Sequence, residues 1–348
     1  MFKKYLPFLA SLIALTTLTA CGGSSNEENN LPYRQTEFTL GSFATLQIHT
    51  PGKEDVLETA FNRIFELEHM LTVNDPSVDS EVERINQMAG IEPVQVSDEV
   101  FNFIQKAFEY TEKSNGSFNI AIGPLTKLWN INFDNARRPD QEEIDAILPL
   151  LNYEHIVLDP ENKTVFLEEE GMRFDFGGIA KGFVADEIYQ LFRDNGVDSA
   201  IIDLSGDVFA LGESPRGRDW IIGIQNPHSG RGNTMAQITV NNQVVFTSGV
   251  YERYVVENGE SFHHILDPKT GFPFDTGIVS LTIVADSGFQ ADAYSTIAFG
   301  KGIEEGLPYI EAIEGVDAMF IDQDNNVFIT SGLRDILTIQ DEDFTLSN

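Results

Sequence analysis

Three oxygen-bearing side chains occur at helical spacing near residue 292. Asp292, Ser295 and Thr296 stand at i, i+3 and i+4, so a helix would place all three on one face. Hard oxygen atoms on one rigid face are what Mg²⁺ accepts, together with backbone carbonyls, water and substrate phosphates. The same residues also fit a helix amino terminus capped by Asp292, because Asp, Ser and Thr are common in first turns. The spacing leaves both interpretations open.

A glycine-rich segment at residues 173–182 has the composition of a phosphate-binding turn. A short strand carrying Asp175 is predicted to run into Gly177 and Gly178, and the helix that follows has Lys181 in its first turn. Glycines at such a turn let the backbone approach a phosphate, and the amino end of the helix favours negative charge. The segment matches neither a P-loop nor a dinucleotide-binding fingerprint. By spacing alone, it indicates a structural joint as much as a phosphate site.

Two other segments contain residues suited to catalysis or ligand binding. His264 lies at a predicted strand end before a turn that contains Pro268, where a histidine is well placed as a base near neutral pH. Because His263 and His264 are adjacent on a strand, at most one of them enters a given site. A histidine packed within a turn network is the alternative. The Ser205-Gly206-Asp207 turn either positions a ligand or merely reverses the chain.

The hydrophobic pattern predicts the elements that would position these residues. Helices are predicted over 54–71, from Ser97 to the Asn115-Gly116 pair, over 179–195 and over 291–299; the first has an apolar stripe of Leu57, Phe61, Ile64, Phe65 and Leu71. Strands are predicted over 38–49, 155–158, 164–167, 200–204, 221–225, 238–240, 316–321 and 327–330, with hairpin turns at Asn241-Asn242 and Asn258-Gly259. Helices alternate irregularly with paired strands. We therefore expect an α+β fold with mixed and antiparallel sheets and flanking helices.

The length and charge of the chain limit its partners. Its 348 residues include 55 acidic and 22 basic side chains, which gives a formal net charge of −33. A chain of this length can bury a large core without disulfides. A surface this negative repels phosphate groups. Nucleic acid is therefore excluded as a partner. A phosphate-bearing cofactor remains compatible if a metal ion, a lysine or helix-end amides neutralise it.

The amino-terminal residues have the pattern of an export signal. Lys3 and Lys4 precede an apolar stretch that is too short to span a bilayer, and small residues then lead to Cys21, the only cysteine. The segment resembles the lipobox of bacterial lipoproteins, which implies a signal peptide at 1–20 and a lipid on Cys21. An ordinary signal peptide with an incidental cysteine is the alternative. Residues 21–35 are expected to form the lipidated, flexible tether.

Taken together and in order, these segments resemble the ApbE family of flavin transferases, which move FMN from FAD onto a threonine of an acceptor protein. The resemblance covers roughly residues 36–335 and implies a domain over 36–340 with a T-fold-like architecture of two interlocked lobes. It is carried by five segments: Ser117-Phe118-Asn119 with Ile122–Leu125 and Leu128-Trp129; residues 175–181; Ser205–Asp207; His264–Pro268 with Thr270-Gly271; and residues 291–296.

The resemblance also implies roles for individual residues. Mg²⁺ would be held by Asp292, Thr296, the adjacent Ser295 and the Gly178 carbonyl. FAD, as the substrate, would be held by Leu40, Asn74, Ser117, Phe118, Asn119, Asp175, Lys181 and Leu266. His264 would be the base that takes the proton from the acceptor threonine. The implied partner is a membrane or secreted redox protein with a threonine-containing motif, and the implied location is the extracytoplasmic face of a bacterial membrane, the periplasmic side in a Gram-negative cell.

Two positions depart from the family pattern. Leu40 stands where the family often has Met, and Asn74 stands where it often has Tyr. Loss of an aromatic ring that could stack on FAD would admit water in place of threonine. Asn74 therefore keeps open one alternative to a transferase, a Mg²⁺-dependent FAD pyrophosphatase that yields FMN and AMP. A lipid-anchored protein that binds FAD without chemistry is a second alternative, from a different class of function.

Overall fold

The computed structural model of the chain describes residues 31–73 and 78–347. The expected signal peptide, Cys21, most of the tether and Asn74 therefore lie outside the described residues. The described residues contain seven α-helices: α1 (Asp55–Leu71), α2 (Glu81–Gln87), α3 (Asp98–Lys113), α4 (Gly123–Trp129), α5 (Gln141–Ile147), α6 (Ala180–Asp194) and α7 (Gly288–Glu311). Short 3-10 helices lie at Leu148–Leu151, Tyr153–His155 and Ser331–Leu333.

The same residues contain seventeen strands. They are β1 (Tyr33–Thr39), β2 (Ser42–Ile48), β3 (Val94–Gln95), β4 (Ile156–Asp159), β5 (Thr164–Leu167), β6 (Ala200–Leu204), β7 (Asp207–Leu211), β8 (Trp220–Gln225), β9 (Thr234–Val240), β10 (Gln243–Gly249), β11 (Tyr254–Glu257), β12 (Glu260–His263), β13 (Ile278–Ala285), β14 (Val316–Asp322), β15 (Asn326–Ile329), β16 (Leu337–Ile339) and β17 (Thr345–Leu346).

A nine-stranded sheet organises the part of the chain that follows Pro32, which is one compact unit. Its strand order is β1-β2-β6-β7-β10-β13-β14-β15-β17, and every neighbouring pair is antiparallel except β15 and β17. Smaller sheets are formed by β16-β9-β8, by β3-β5-β4 and by the β11-β12 hairpin. The expected α+β class with mixed and antiparallel sheets is confirmed.

Both faces of the large sheet are buried at its centre. On one face, Leu46, Ile202 and Phe320 belong to the main core together with residues of α1, α6 and α7. On the other face, alternate residues of the same strands, such as Ile201 and Met319, pack with residues of β8 and β9. Successive strand residues point to opposite faces, so one sheet supplies two apolar layers. This packing fixes α6 and α7 on the sheet, which matters for the site below.

The predicted first strand over 38–49 is wrong, because the chain reverses within it. β1 and β2 form an antiparallel hairpin whose turn is Leu40-Gly41, and Leu40 has a positive φ of 54°. The Glu68 carboxylate on α1 accepts hydrogen bonds from Leu40 N at 2.7 Å and from Thr39 Oγ1 at 2.7 Å. A carboxylate from a distant helix thus holds a leucine in a backbone conformation that usually favours glycine.

The predicted short strand at the start of residues 173–182 is also wrong. Residues 173–176 form no strand and belong to none of the sheets. The Asn86 side chain accepts from Phe174 N at 2.7 Å and donates to the Phe174 carbonyl at 3.3 Å. Asp175 N donates to the Ile120 carbonyl. Because an amide side chain takes the place of a neighbouring strand, the buried backbone is satisfied without a ladder.

The predicted helices lie at the right places in the chain, but their lengths and buried residues are not all correct. α1 and α3 lie where they were predicted, and the Ser97 hydroxyl accepts from Val100 N as the expected cap. Phe65 does not belong to the buried stripe, since it is 40% exposed. α7 is much longer than the predicted 291–299. The Asn258-Gly259 hairpin is confirmed, whereas Asn241-Asn242 joins β9 and β10, which belong to different sheets and form no hairpin.

No helix within the described ranges is both long and apolar enough to cross a membrane.

Candidate active site

The crossing of α6 and α7 brings two of the chemically interesting segments together. Gly182 on α6 faces Gly288 on α7 so closely that a Cβ on Gly182 would overlap the Gly288 carbonyl. Asp186 accepts hydrogen bonds from Ser287 Oγ at 2.7 Å and from the first amides of α7, so the helix begins at Gly288. Asp292 therefore lies in the second turn, and the interpretation of Asp292 as a helix cap is wrong.

Asp292 is the buried carboxylate of this crossing. Asp292 is 3% exposed, and its Oδ2 accepts a hydrogen bond from Gly182 N at 2.9 Å. No described residue donates a hydrogen bond to its other oxygen, Oδ1. Burial raises the pKa of Asp292 to about 7, although the positive charge of Lys181 lowers it. A buried carboxylate with so little compensation is a suitable place for a cation.

Two further oxygen atoms lie near this carboxylate: the Thr296 hydroxyl, which is on the same helix, and the Gly178 carbonyl. A Cβ on Gly178 would lie 3.3 Å from Thr296 Oγ1, so the Gly178 backbone and the Thr296 hydroxyl are close neighbours. The Gly182 amide, which would close a regular helical turn onto the Gly178 carbonyl, is directed to Asp292 instead. The Gly178 carbonyl, Asp292 and Thr296 together are called the oxygen cluster below. Their donor set suits a hard divalent cation such as Mg²⁺.

The described ranges contain no group of three or more His, Cys, Asp or Glu side chains placed to hold a metal ion. The oxygen cluster instead combines one carboxylate with a hydroxyl and a carbonyl. A Mg²⁺ ion commonly uses few protein carboxylates, because substrate phosphates and water complete its coordination. The cluster therefore fits Mg²⁺ shared with a phosphate-bearing ligand better than a site built of protein groups alone.

Ser295 has other partners on the same helix. Its hydroxyl donates to the Asp292 carbonyl at 2.7 Å and lies 3.0 Å from Ser248 Oγ, which donates to it from β10. The residue is fully buried. These bonds tie α7 to the large sheet. A metal-ligand role for Ser295 stays a prediction.

Lys181 and Asp207 form a partly buried ion pair beside the oxygen cluster. Asp207, at the start of β7, is 6% exposed and also accepts a hydrogen bond from Thr247 N at 3.1 Å. Burial raises the pKa of Asp207, while Lys181 lowers it. The Lys181 ammonium also lies 5.1 Å from the centre of the Phe246 ring. Lys181 is thus held in place as a single positive charge next to the α6 amino terminus.

Asp207 is a site residue that the sequence interpretation did not single out. Its turn was read as either ligand-positioning or a simple reversal, and nothing local distinguishes the two. The deciding contact comes from Lys181, which is 26 residues away along the chain. Thr126 and Asp186 were likewise missed, because each acts through a carboxylate or backbone group far away in sequence.

Asp175 shapes the glycine turn. Its Oδ1 accepts from Gly177 N at 2.7 Å and its Oδ2 accepts from Thr126 Oγ1 at 2.7 Å. One carboxylate oxygen therefore holds the backbone that leads to Gly178, and the other ties this turn to α4. The structure places Asp175 next to the oxygen cluster, and direct contact with FAD stays a prediction.

The three residues of the 117–119 segment lie in different surroundings. Phe118 is buried with its ring against Gly178, 3.6 Å from where a Cβ would stand. Asn119 is also buried, and its amide donates to the Leu151 carbonyl and accepts from Ala121 N. Ser117 lines a cavity. Of the three, Ser117 has the side chain best placed to touch a ligand, while Phe118 and Asn119 support the wall behind it.

The cavity next to Ser117 has a volume of about 520 Å³. It is lined by Ser117, Asp267, Lys269, Thr270, Phe272, Pro273, Phe274, Asp275, Thr276 and Gly300. Ser117 precedes Phe118, which touches Gly178, and Gly300 lies one helical turn beyond Thr296. Two of the lining residues therefore lie near residues of the oxygen cluster along the chain, and the cavity has room for an aromatic ring system.

Leu266 and Leu40 lie at two different edges of the site. Leu266 is 5% exposed and packs with Leu125 and Trp129 beneath the cavity loop. Leu40 lines a narrow cleft together with Phe43, Lys181 and Ser205. Leu40 is therefore near Lys181, whereas Leu266 mainly supports the loop.

Of the adjacent histidines His263 and His264, His264 has the ring nitrogen that forms no hydrogen bond with the described residues. Its Nδ1 lies 3.2 Å from the Arg253 carbonyl, so Nδ1 carries the proton and Nε2 is unprotonated. Burial lowers the pKa of His264 to about 3, helped by the positive charges of Arg253, His263 and Lys181. His263, by contrast, uses both nitrogens, with the Phe274 carbonyl and Ile265 N. Of these two histidines, it is therefore His264 that can accept a proton from a ligand without losing a structural bond.

The sequence profile of the ApbE family matches residues 40–320. The chain belongs to the ApbE family. The expected resemblance is confirmed, and relatives agree with it over most of the chain. A FAD:protein FMN transferase of Klebsiella pneumoniae (strain 342) is 36% identical over 306 residues, which are 88% of this chain and 94% of that protein. A FAD:protein FMN transferase of Treponema pallidum (strain Nichols) is 34% identical and covers 94% of each chain.

Solved structures of ApbE proteins share the fold. The ApbE protein of Thermotoga maritima superposes with a TM-score of 0.81 at 28% identity, over 88% of this chain and 99% of that one. The flavinyl transferase ApbE of Pseudomonas stutzeri, in its apo form, gives a TM-score of 0.76 at 25% identity, over 88% and 96%. The ApbE fold therefore extends over nearly all of the described residues.

Proposed function

We propose that this ApbE protein is a FAD:protein FMN transferase. The names of its relatives support transfer of a flavin to a protein. The observation that carries the proposal is the oxygen cluster of Gly178, Asp292 and Thr296, together with Lys181 on the same helix start and the 520 Å³ cavity. A pyrophosphate-bearing cofactor with a ring system needs this combination of a cation site, a fixed positive charge and a ring-sized cavity.

The proposal includes Mg²⁺ at the oxygen cluster. Asp292, the Thr296 hydroxyl and the Gly178 carbonyl would hold it. When bound, Mg²⁺ supplies positive charge that neutralises the pyrophosphate and the leaving phosphate. This chain has a formal net charge of −33, so a bound cation also offsets the repulsion between the protein and its dinucleotide substrate.

The protein's own groups bind and orient FAD and deprotonate the attacking hydroxyl. Lys181, fixed by Asp207, offers its ammonium to a phosphate oxygen, and Asp175 holds the glycine turn in the shape that exposes backbone to the ligand. His264 Nε2 accepts the proton of the attacking hydroxyl while the Arg253 carbonyl fixes the tautomer. The buried setting of these groups limits access of water.

The proposed reaction forms one bond and breaks one. The acceptor threonine oxygen bonds to the FMN-side phosphorus of FAD, and the bridging phosphorus–oxygen bond to the AMP half breaks. AMP leaves with the electron pair, and the hydroxyl proton goes to His264. FMN remains on the acceptor in a phosphodiester linkage. A redox protein with a threonine-containing motif is the proposed acceptor.

The deciding experiment uses the chain from Ser24 onward, which retains the compact unit that starts at Pro32. It is mixed with FAD and Mg²⁺, with and without an acceptor domain that carries a threonine motif, and acceptor mass, free FMN and AMP are followed. An acceptor that gains one FMN, with AMP release and loss of both on chelation, supports the proposal. Free FMN and AMP with unmodified acceptor would make the protein a FAD pyrophosphatase. Intact FAD throughout would leave a FAD-binding protein.

We also propose that Cys21 anchors the protein by lipid to the extracytoplasmic face of a bacterial membrane, the periplasmic side in a Gram-negative cell. The support is the basic and apolar pattern before Cys21 and the polar tether after it. Cys21→Ser should move the expressed protein from the membrane fraction to the soluble fraction. Unchanged membrane attachment of that variant would exclude the lipid anchor.

A further inference from the structure

Two aromatic side chains are paired and exposed at the end of the β1–β2 hairpin. Phe38 and Phe43 lie directly opposite each other in the strand register, with ring centres 5.4 Å apart in an edge-to-face arrangement. Phe38 is 65% exposed and Phe43 is 63% exposed. Single exposed apolar residues are normal on a protein surface, but two large rings in edge-to-face contact leave a contiguous apolar patch in water.

This aromatic pair, Phe38 with Phe43, lies at the mouth of the candidate site. Phe43 lines the same narrow cleft as Leu40, Lys181 and Ser205. The hairpin end is fixed from two sides, because Ser42 Oγ lies 2.7 Å from Ser205 Oγ and Glu68 holds the Leu40 turn. The rings are therefore a rigid surface that borders the residues around Lys181, although the cleft itself is too narrow to admit a water molecule.

The strand that carries Phe38 is open on one side. β1 is the outermost strand of the nine-stranded sheet, and none of the other described strands pairs with its outer side. An exposed strand edge offers backbone hydrogen bonds to an extended polypeptide, while neighbouring side chains supply the apolar contacts. An extended segment lying along β1 would pass the aromatic pair and end at the cleft.

We propose that Phe38 and Phe43 form the docking site for the acceptor polypeptide. Apolar side chains of an extended acceptor segment cover the two rings, and this brings the hydroxyl-bearing residue next to them to the edge of the candidate site near Lys181. The inference rests on the proposed transferase function, because only a macromolecular acceptor needs a surface outside the flavin site.

The charge of the protein favours a polypeptide over a lipid surface as the occupant. A formal net charge of −33 repels anionic membranes, and the aromatic pair has no cluster of lysines or arginines on β1 or β2 to offset this, since Arg34 is the single basic residue on the two strands. The aromatic pair also lies beside the Lys181 end of the candidate site, where an acceptor of the flavin must come and where a membrane contact has no function.

The test compares acceptor kinetics of Phe38→Ser with those of the unchanged chain from Ser24 onward, at saturating FAD and Mg²⁺, with a threonine-motif acceptor domain as probe. Phe38 is outside the cleft lining, so FAD affinity and acceptor-independent release of FMN should stay the same. We expect the KM for the acceptor to rise about tenfold with little change in kcat, as for loss of an aromatic anchor. Phe43→Ser should raise it as well. Ile221→Ser, at a 46% exposed position on β8, is the matched control and should change nothing.

Three results would overturn the inference. An unchanged acceptor KM for Phe38→Ser, with active unchanged protein, removes the docking site while leaving the transferase standing. Phe38-dependent binding to phosphatidylcholine or phosphatidylglycerol vesicles, or Phe38-dependent dimerisation in sedimentation, with unchanged acceptor KM, assigns the surface to a membrane or to a second copy. No transfer by the unchanged protein to any acceptor overturns the proposed function and the docking site together.

Discussion

Asp292 links metal binding to pH. An ordinary aspartate has a pKa near 3.8, whereas burial raises that of Asp292 to about 7, so the folded protein retains a proton that the unfolded chain releases. Without a cation, stability should fall as pH rises from about 4 to 7 and then level off. Because Mg²⁺ needs the ionised carboxylate, its apparent affinity should be about tenfold weaker at pH 6 than at pH 8.

This is measured as the Mg²⁺-induced rise in Tm at the two pH values. Asp292→Asn should abolish the rise at both while the protein stays folded, since the amide oxygen can still accept from Gly182 N. It should also be more stable than the unchanged protein at pH 8 without Mg²⁺, because no buried charge remains. An undiminished Mg²⁺ effect in the folded variant would exclude Asp292 as a ligand.

Lys181 and Asp207 depend on each other for stability. Lys181→Met leaves the Asp207 carboxylate buried without its partner, which should lower the free energy of unfolding by about 3 kcal/mol. Adding Asp207→Asn should recover most of the loss while FAD binding stays weak. Urea unfolding of the two single variants and the double variant gives the coupling. Lys113→Met, in an exposed pair with Glu109, is the control that should leave stability almost unchanged.

His264 should act as a base without titrating near neutral pH. Burial lowers the pKa of this imidazole to about 3, so its base form is present throughout the range above pH 4. His264→Ala should lower kcat by roughly 10² to 10⁴ with FAD affinity unchanged. The pH profile of kcat/KM should show no limb near 6.5 that depends on His264. A limb there that disappears in the variant, or lost FAD binding, would contradict this assignment.

At the scale of elements, the α6–α7 crossing depends on Gly182. A Cβ at this position overlaps the Gly288 carbonyl and presses on Asp292. Gly182→Ala should therefore separate the helices, destabilise the protein by about 2 to 3 kcal/mol and weaken Mg²⁺ binding. Gly230→Ala, which meets no atom within 4 Å, is the control and should have no measurable effect. Denaturant unfolding with and without Mg²⁺ checks both, and equal stability of the two variants would refute the close-packing argument.

The sequence predicted elements well where local signals determine them. α1 and α3 follow from apolar stripes and a Ser97 cap, and β6 lies where it was expected. Local signals failed where a distant residue decides the structure. The Leu40-Gly41 reversal needs Glu68, and the segment at residues 173–176, which forms no strand, needs Asn86.

The same distinction applies to the candidate site. The i, i+3, i+4 spacing correctly placed Asp292, Ser295 and Thr296 on one helix. It did not separate their partners: Ser295 bonds Ser248, whereas Thr296 adjoins Gly178. Asp207 was left undecided because its burial against Lys181 is a tertiary contact. Spacing predicts a shared face, while packing decides which atoms remain free for a ligand.

At the scale of the whole molecule, the net charge should govern how fast FAD arrives. A protein with a formal charge of −33 repels an anionic dinucleotide, and salt screens that repulsion. Raising NaCl from about 20 to about 200 mM should accelerate FAD association several-fold, opposite to the effect for attracting partners. Stopped-flow fluorescence measures the rate. Neutral riboflavin is the control and should show no such dependence; a slower FAD rate in salt would mean that local positive charge dominates.

One of the two tryptophans is connected to the cavity wall. Trp129 is fully buried, donates its indole hydrogen to the Gly271 carbonyl at 2.8 Å and packs against Phe272, which lines the cavity. The other, Trp220, bonds the Leu211 carbonyl near β8. Replacing Trp220 with Phe would leave Trp129 as the single fluorescent tryptophan. Its emission would change when the cavity loop moves, and a flavin ring in the cavity would quench it. The fluorescence of Trp129 would thus report whether the cavity holds a ligand.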